Sequence, residues 1–282
     1  MHSLANKVVV ITGAASGIGR ALALECAQRG ARLLLADLDE PGLAAISSEV
    51  KALGATCHCR PTDTGVEAEI FALAEFGLAS LGPADVVINN AGVSLVSSIE
   101  KLKIADAQWL MNINFWGVVH GCRAFLPQLR ARPEATLVNI SSIFAMVSMP
   151  TQGMYNAAKA AVRAFSDALR EELRETSITV LCVHPGGIRT NIANKARMAD
   201  LSLLELSEGQ MRSLFEQSAP TSPEQAAKAI VQAIEGGKTR LMIGADARIA
   251  DYIYRLFPAR ATAWLNSLGR RRRDAAVAKG ST

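Results

Sequence analysis

No run in this 282-residue chain reaches the roughly 18 consecutive apolar residues that a bilayer-spanning helix needs, although half of the residues are apolar. A bilayer-spanning helix is not expected on that pattern, and the excess hydrophobicity fits a parallel sheet covered on both faces. The N-terminus lacks a charged n-region and a cleavage site. Val8-Val9-Val10-Ile11 runs straight into Thr12-Gly13, which reads as a buried strand and not as a signal peptide, so a cytoplasmic protein is expected. Cysteines are few and odd in number: Cys26, Cys57, Cys59, Cys122 and Cys182. Scattered in this way and without an export signal, they read as reduced thiols. Cys57-His58-Cys59 has no second ligand cluster to complete a metal site, and no metal is expected. A Pro/Ser-rich linker and internal repeats are also absent, and the length is that of one large α/β domain. Net basic charge is missing from most of the chain. From Ile249 onward there are seven Lys/Arg against two Asp/Glu, so the body is nearly neutral and no nucleic-acid partner is expected.

What is present alternates. Apolar β-branched runs at 7–12, 31–36, 55–60, 84–88, 136–140, 178–183 and 239–243 are each followed by a turn and, in most cases, by a helical period. Strands alternating with helices make βαβ units and a parallel sheet of about seven strands. Between the first strand and first helix lie Gly13, Ser16, Gly17, Ile18 and Gly19. A glycine-rich turn at a helix start gathers backbone N–H groups at one point and attracts phosphate. Asp37 ends the second strand, where a carboxylate can accept from ribose hydroxyls and would repel a 2′-phosphate. Asp39 could cap the helix beginning near Pro41. Asn89-Asn90-Ala91-Gly92 ends the fourth strand, where the amides could tie strand ends together or face a ligand. Asn114 sits inside the helical stretch 105–130 as a poor mid-helix residue, suggesting a kink or a functional amide.

Tyr155 and Lys159 are spaced i, i+4 in the helical pattern around Ala157, Ala158 and Val162, so phenol and ammonium share one face. A nearby cation favours the phenolate and lowers a tyrosine's pKa, which suits a general acid/base.

These pieces occur in the order found in the short-chain dehydrogenase/reductases, which the chain resembles from about Asn6 to Met242. The motifs are Thr12-Gly13-Ala14-Ala15-Ser16-Gly17-Ile18-Gly19, Asp63, Asn89-Asn90-Ala91-Gly92, Asn114, Ser142, Tyr155-x-x-x-Lys159, and Pro185-Gly186 with Thr190. The resemblance implies a Rossmann-type doubly wound sheet and a catalytic set of Asn114, Ser142, Tyr155 and Lys159. It further implies a nicotinamide cofactor, NAD ahead of NADP on the strength of Asp37. Asp63 and Thr64 would flank the adenine, and Ile188 and Thr190 would hold the carboxamide. Asn90, Ala91, Gly92, Pro185 and Gly186 would line the rest of the cofactor site. Ala145 departs from the glycine that many members carry after the serine. An NADPH-dependent carbonyl reductase and a non-catalytic dinucleotide-binding regulator are the rival readings.

Phe144, Met146, Met149, Met154, Ile188 and Ile192 lie near these motifs in sequence and imply a small apolar alcohol or carbonyl substrate. Residues 191–220 are expected to form a lid, with helical stretches and no strand pattern. Residues 1–245 are read as the Rossmann domain and 246–282 as an amphipathic, basic extension. In the extension Ile249, Ile253, Leu256 and Phe257, then Ala261, Trp264, Leu265 and Leu268, recur at helical spacing before Arg270-Arg271-Arg272-Arg273. Two uses are open: packing on the body or a partner subunit, or lying peripherally on an anionic membrane. By resemblance, a homodimer or homotetramer would pair through the helices at 105–130 and 152–175.

Overall fold

The computed structural model describes residues 1, 3–192, 194–204, 207–217 and 219–269. Seven parallel strands form the main sheet: β1 (Val8–Thr12), β2 (Arg32–Asp37), β3 (Cys57–Pro61), β4 (Val86–Asn89), β6 (Ala135–Ile140), β7 (Ile178–Pro185) and β9 (Arg240–Ile243). They lie in the order β3-β2-β1-β4-β6-β7-β9. The order reverses at β1, where Val10 pairs with Leu34 of β2 on one side and Val87 of β4 on the other. Ligands of open α/β sheets bind outside the strands' carboxyl ends at such a switch point.

Why the strands read as unbroken apolar runs is clear from the two core clusters. Val9, Ile11, Leu33, Leu35, Val86 and Ile88 point to one face, packed on α1 (Gly17–Gln28), α2 (Glu40–Ala52) and α8 (Pro223–Glu235). Val8, Val10, Leu34, Ala36 and Val87 point to the other, packed on α3 (Glu67–Leu81), α5 (Gly117–Arg130) and α6 (Gly153–Glu172). Each buried Leu or Ile stabilises the fold by about 1.5–3 kcal/mol. Helix starts follow local chemistry. Asp39 caps α2 by accepting from Gly42 N at 3.0 Å, and Ser222 with Gln225 forms a capping box on α8.

Three segments differ from the sequence expectations or refine them. The stretch at 105–130 is α4 (Ile104–Met111), then a π-helical turn over Asn112–Trp116, then α5. The kink expected at Asn114 is this turn. Second, the segment expected to have no strand contains β8 (Arg197–Met198), which pairs in parallel with β5 (Leu95–Val96). Two residues are too short to leave a period in the sequence. Beyond β8 come a 3-10 turn at Ser202–Leu204 and α7 (Glu208–Gln217).

Third, the tail helix α9 (Ala245–Leu256) turns its small residues inward. Ala247 and Ala250 pack on Ile143, Met146 and Val147, and Asp251 pairs with Arg240 through Nη2 at 2.6 Å and Nη1 at 3.1 Å. Ile249 and Leu256 are 58% and 70% exposed, and Phe257 is exposed beside them. Most of the apolar stripe of α9 therefore faces away from the body, with Ile253 half-buried. In the helix over 261–269 the pattern splits: Ala261 and Leu265 turn inward, Trp264 and Leu268 outward. The arginine run at 270–273 lies outside the described residues. No described helix is long and apolar enough to cross a membrane.

Candidate active site

The carboxyl ends of β1 and β4 are stitched together by the residues that read as a ligand loop. Thr12 Oγ1 accepts from Asn90 N at 3.1 Å and Ala91 N at 3.2 Å. Asn90 Nδ2 donates to Thr12 O at 2.9 Å and Gly13 O at 3.1 Å. Asn89 Nδ2 donates to Asn139 Oδ1 at 2.9 Å on β6. Both amides tie strand ends. Gly13 turns the chain at φ +66°, and a Cβ there would stand 2.8 Å from Ala91 Cα, so only glycine lets the two strand ends approach. Ser16 is the N-cap of α1, yet its hydroxyl makes no capping bond, leaving it available beside the helix N-terminus. Gly17 is covered by Thr190, whose Cβ and Cγ2 would lie 3.2 Å from an added Cβ. Ile18 and Gly19 follow in the first turn of α1. The fold thus brings residues 13–19, 90–92 and 190 to one place.

Asp37 closes the far side. Its Oδ2 accepts from Ala15 N at 2.9 Å and its Oδ1 from Asp39 N at 3.0 Å. The carboxylate is fixed against the glycine loop, with exposed Leu38 following it. Asp63 Oδ1 accepts from Gly65 N at 2.8 Å. Thr64 is buried against Gly117 of α5, and its carbonyl contacts His120 Nδ1 at 3.2 Å. An uncapped helix N-terminus, a glycine cradle without room for side chains, and a carboxylate at the second strand's end fit a dinucleotide: pyrophosphate at the first, ribose at the last.

On the other side of the switch point stand Ser142, Tyr155 and Lys159. Ser142 follows β6 and caps the 3-10 turn Ile143–Ala145, its Oγ accepting from Phe144 N at 3.1 Å. Ser141 Oγ donates to Lys159 O at 2.8 Å, so Ser141 serves the helix backbone and Ser142 is the serine that hydrogen-bonds Tyr155. Tyr155 and Lys159 occupy successive turns of α6. Lys159 Nζ lies 5.8 Å from the Tyr155 ring centroid and donates to Ile140 O at 3.0 Å. Burial pushes the Tyr155 phenol up to about 12, opposed by the Ser142 hydrogen bond. Burial also pulls the Lys159 ammonium down to about 8. The lowered tyrosine pKa expected from the spacing is not a property of the protein alone: desolvation of the phenol outweighs a cation that is itself desolvated.

Asn114 is fully buried in the π-helical turn. Its Oδ1 accepts from Val93 N at 2.8 Å and its Nδ2 donates to Val93 O at 2.9 Å. This two-point bridge explains why a poor helix former sits there. A Cβ on Gly92 would stand 3.3 Å from Asn114 Oδ1 and 3.5 Å from Lys159 Nζ.

Pro185 ends β7, and Gly186-Gly187-Ile188 is strapped to the chain at Thr221: Thr221 N donates to Gly187 O at 3.2 Å and Arg189 N to Thr221 O at 2.9 Å. Of the apolar candidates, Phe144 sets its ring edge-on to Tyr155, with centroids 6.2 Å apart. Met154 packs with Tyr155, Leu95 and Leu110. Met146 is core filler under α9, and Ile188 is buried. Met149 is partly exposed and, with Phe144, Gly153, Ala157, Thr262 and Asn266, lines a groove of about 510 Å³. The segment after Ile192 is fastened at its start. Ser98 Oγ donates to Asp200, Arg197 Nη1 pairs with Asp106 at 2.9 Å, and the Arg197 guanidinium stacks 3.6 Å over Trp109.

Three residues of this neighbourhood were given no role of their own from sequence. Thr12 read as a strand end and as the first residue of the glycine motif. His184, 1% exposed, contacts Ser142 O through Nδ1 at 3.3 Å, and burial lowers it to about 4, so it is neutral. Its position before Pro185 was the one available signal. Asp246, in the first turn of α9, accepts from Gly187 N at 2.7 Å and had no local signal at all.

Residues 7–200 match the family model described as short chain dehydrogenase. The chain is 40% identical over 263 residues to SadH of Mycobacterium tuberculosis, named as an oxidoreductase, covering 91% of this chain and 92% of that protein. It superposes with TM-score 0.81 and 30% identity on a short chain dehydrogenase/reductase of Burkholderia phymatum solved in complex with NAD, covering 91% of this chain and 96% of that one. A short-chain dehydrogenase of Streptomyces avermitilis is 30% identical with TM-score 0.78, over 99% of this chain and all of that one.

Proposed function

This chain belongs to the short-chain dehydrogenase family of oxidoreductases, and from that premise we propose that it interconverts an apolar alcohol and its ketone or aldehyde, with Tyr155 as general acid/base. The observation that carries the reading is the placement of Tyr155, its hydrogen-bond partner Ser142 and the buried Lys159 beside Gly92, at the strand end that meets the glycine loop.

When bound, a nicotinamide cofactor supplies the hydride chemistry. The N-terminus of α1 with Gly13, Ser16, Gly17, Ile18 and Gly19 would hold its pyrophosphate. Asp37 would hold the adenosine ribose, Asp63 and Thr64 the adenine side, and Asn90, Ala91, Gly92, Pro185, Gly186, Ile188 and Thr190 the nicotinamide half. In the oxidative direction Tyr155 takes the proton of the substrate hydroxyl, and Ser142 donates to the substrate oxygen as charge develops on it. Lys159 favours the phenolate, and a cationic oxidised nicotinamide would add to that effect. The room left by the missing side chain at Gly92 has Asn114 Oδ1 and Lys159 Nζ on its wall. A water there would have two polar partners and would connect Lys159 outward. Reduction reverses each proton transfer.

NAD(H) is the favoured cofactor in this reading. Two anions about 4 Å apart repel by roughly 1 kcal/mol in water and 4 kcal/mol in a partly buried site, which is what a 2′-phosphate would meet at Asp37. Within the expected lid at 191–220, α7 would be the part that moves, because 197–200 is already fastened. Subunits would pair through α4–α5 and α6, a reading supported by the exposure of Ile104 on α4 and Trp116 just before α5. The outward stripe of α9 is assigned to a further subunit contact. Co-flotation with anionic liposomes that is lost on truncation after Phe257 would reassign it to a lipid surface. The test of the reaction is a panel of apolar alcohols with NAD⁺, followed by NADH absorbance. No turnover of any alcohol, together with tight cofactor binding, would favour the regulator reading instead.

A further inference from the structure

The layer between β3 and α2 holds a thiol pair that the reaction does not use. Cys57 and Cys59 are two residues apart on the edge strand β3, so their side chains leave the same face. Their Sγ atoms stand 3.8 Å apart. Cys57 is 6% exposed within the core cluster, while Cys59 is partly open to solvent. From α2, Ser47 and Lys51 face both sulfurs. The other three cysteines, Cys26, Cys122 and Cys182, are each buried.

We propose that Cys57 and Cys59 form a peroxide-sensitive dithiol, with Cys59 as the attacking thiol and Cys57 as the resolving one.

The strand geometry permits the bond. Two residues of parallel strand advance about 6.6 Å, just inside the upper limit of about 6.8 Å between the α-carbons of a disulfide. Ring closure therefore asks for a small contraction at His58. A bond made at the limit of its geometry is readily reduced, as befits a reversible modification. Exposure selects Cys59, the sulfur that solvent and a peroxide can reach. The neighbouring Cys57 sulfur, then Ser47 and the Lys51 cation, favour its thiolate against the cost of burial. Cys57 is driven upward by its contact with Cys59 and by burial. A partly exposed thiolate beside a cation is the reactive kind, and a buried thiol in apolar surroundings is inert.

The oxidant is a hydroperoxide. The Cys59 thiolate attacks the terminal peroxide oxygen, the O–O bond breaks, and the other oxygen leaves as alcohol or water after taking a proton. Cys59 is then a sulfenic acid. Cys57 sulfur attacks the Cys59 sulfur, the S–O bond breaks, and water leaves carrying the proton from Cys57. The sulfur pair loses two electrons and the peroxide gains them.

The experiment treats the full chain with one equivalent of cumene hydroperoxide, then counts thiols after denaturation and maps peptides by mass. Two of the five cysteines should disappear together, as an internal disulfide within the peptide spanning 57–59, and dithiothreitol should restore them. Cys57→Ser should trap a sulfenic acid at Cys59 that dimedone labels. Cys59→Ser should leave Cys57 unmodified. A melting curve checks that each variant folds. Oxidation that begins at Cys26, Cys122 or Cys182, a Cys59 that proceeds to sulfinic acid with Cys57 intact, or an unchanged thiol count would each overturn the proposal. None of these readouts depends on cofactor binding or on turnover.

Discussion

Asn114 Oδ1 and Lys159 Nζ converge on the α-carbon of Gly92, at 3.3 and 3.5 Å from where a β-carbon would stand. The glycine needs no unusual backbone angle, so its small size is what the site uses. Gly92→Ala would crowd Asn114 by a few tenths of an ångström, meet Lys159 at ordinary contact distance and fill the space through which Lys159 exchanges protons in this reading. General acid–base steps contribute roughly 10²–10⁴-fold. The variant should lose about tenfold or more of kcat with the fold intact. Steady-state kinetics beside a melting curve measure this, and an unchanged kcat would remove the relay from the mechanism.

Tyr155→Phe deletes the transferable proton and the hydrogen bond with Ser142, and little else. The phenyl ring still packs with Met154, Leu95 and Phe144. Turnover should fall by about 10²–10⁴, while cofactor affinity by fluorescence titration stays near that of the wild type. Substantial residual kcat would show that another group handles the proton.

The sheet, its seven strands and the cluster of polar residues at the strand ends were legible because each depends on local pattern. Buried parallel strands read as apolar runs, and glycines mark turns. Asp39 was legible as a helix cap for the same reason, and the structure shows it capping α2. What was not legible depends on distant packing. β8 is two residues long and exists through its pairing with β5. The stripe of α9 was visible, but not its direction, because the helix is docked by Ala247, Ala250 and the Asp251–Arg240 pair. The Tyr155 and Lys159 shifts come from burial, which i, i+4 spacing does not encode.

His184 offers a pH signature. Its folded value, about 4, lies below its ordinary value of 6.5 because the buried imidazole resists charge. The neutral form is the one the fold holds. Its contribution is therefore complete above about 6.5 and is lost as pH falls from there through 4, with an upper limit of about 3 kcal/mol. Loss should accompany loosening of the contact with Ser142 O. In urea melts between pH 7 and pH 4, His184→Gln should show a shallower decline than wild type. Parallel declines would place the acid sensitivity elsewhere.

Asp37 is held from two sides, by Ala15 N and Asp39 N, and so cannot swing away from an incoming ribose. Asp37→Ala should raise the KM for NAD⁺ and lower that for NADP⁺, narrowing the preference with little change in kcat. Comparison of kcat/KM for the two cofactors in both proteins is the measurement. A wild-type preference for NADP(H) would mean the carboxylate does not meet the ribose.

Asp246 joins the tail to the nicotinamide side of the proposed site. Its Oδ2 accepts from Gly187 N at 2.7 Å, and any side chain at Gly186 or Gly244 would collide with its carboxylate. Gly244 is called for in any case by its φ of +95°, whereas Gly186 is explained by the aspartate, and α9 is anchored by its first turn to the loop after β7. Asp246→Ala would release Gly187 N, worth roughly 1.5–3 kcal/mol for a hydrogen bond to a charged acceptor, although solvent at this exposed bond reduces that figure. Asp246→Asn keeps an acceptor of the same shape. The expected result is a raised KM for the cofactor in the alanine variant, with the apolar substrate's KM nearly unchanged, and substantial rescue by asparagine. A uniform loss of stability with both KM values intact would make Asp246 a structural clasp only. Equal damage from alanine and asparagine would point to the charge itself acting on the nicotinamide side of the site.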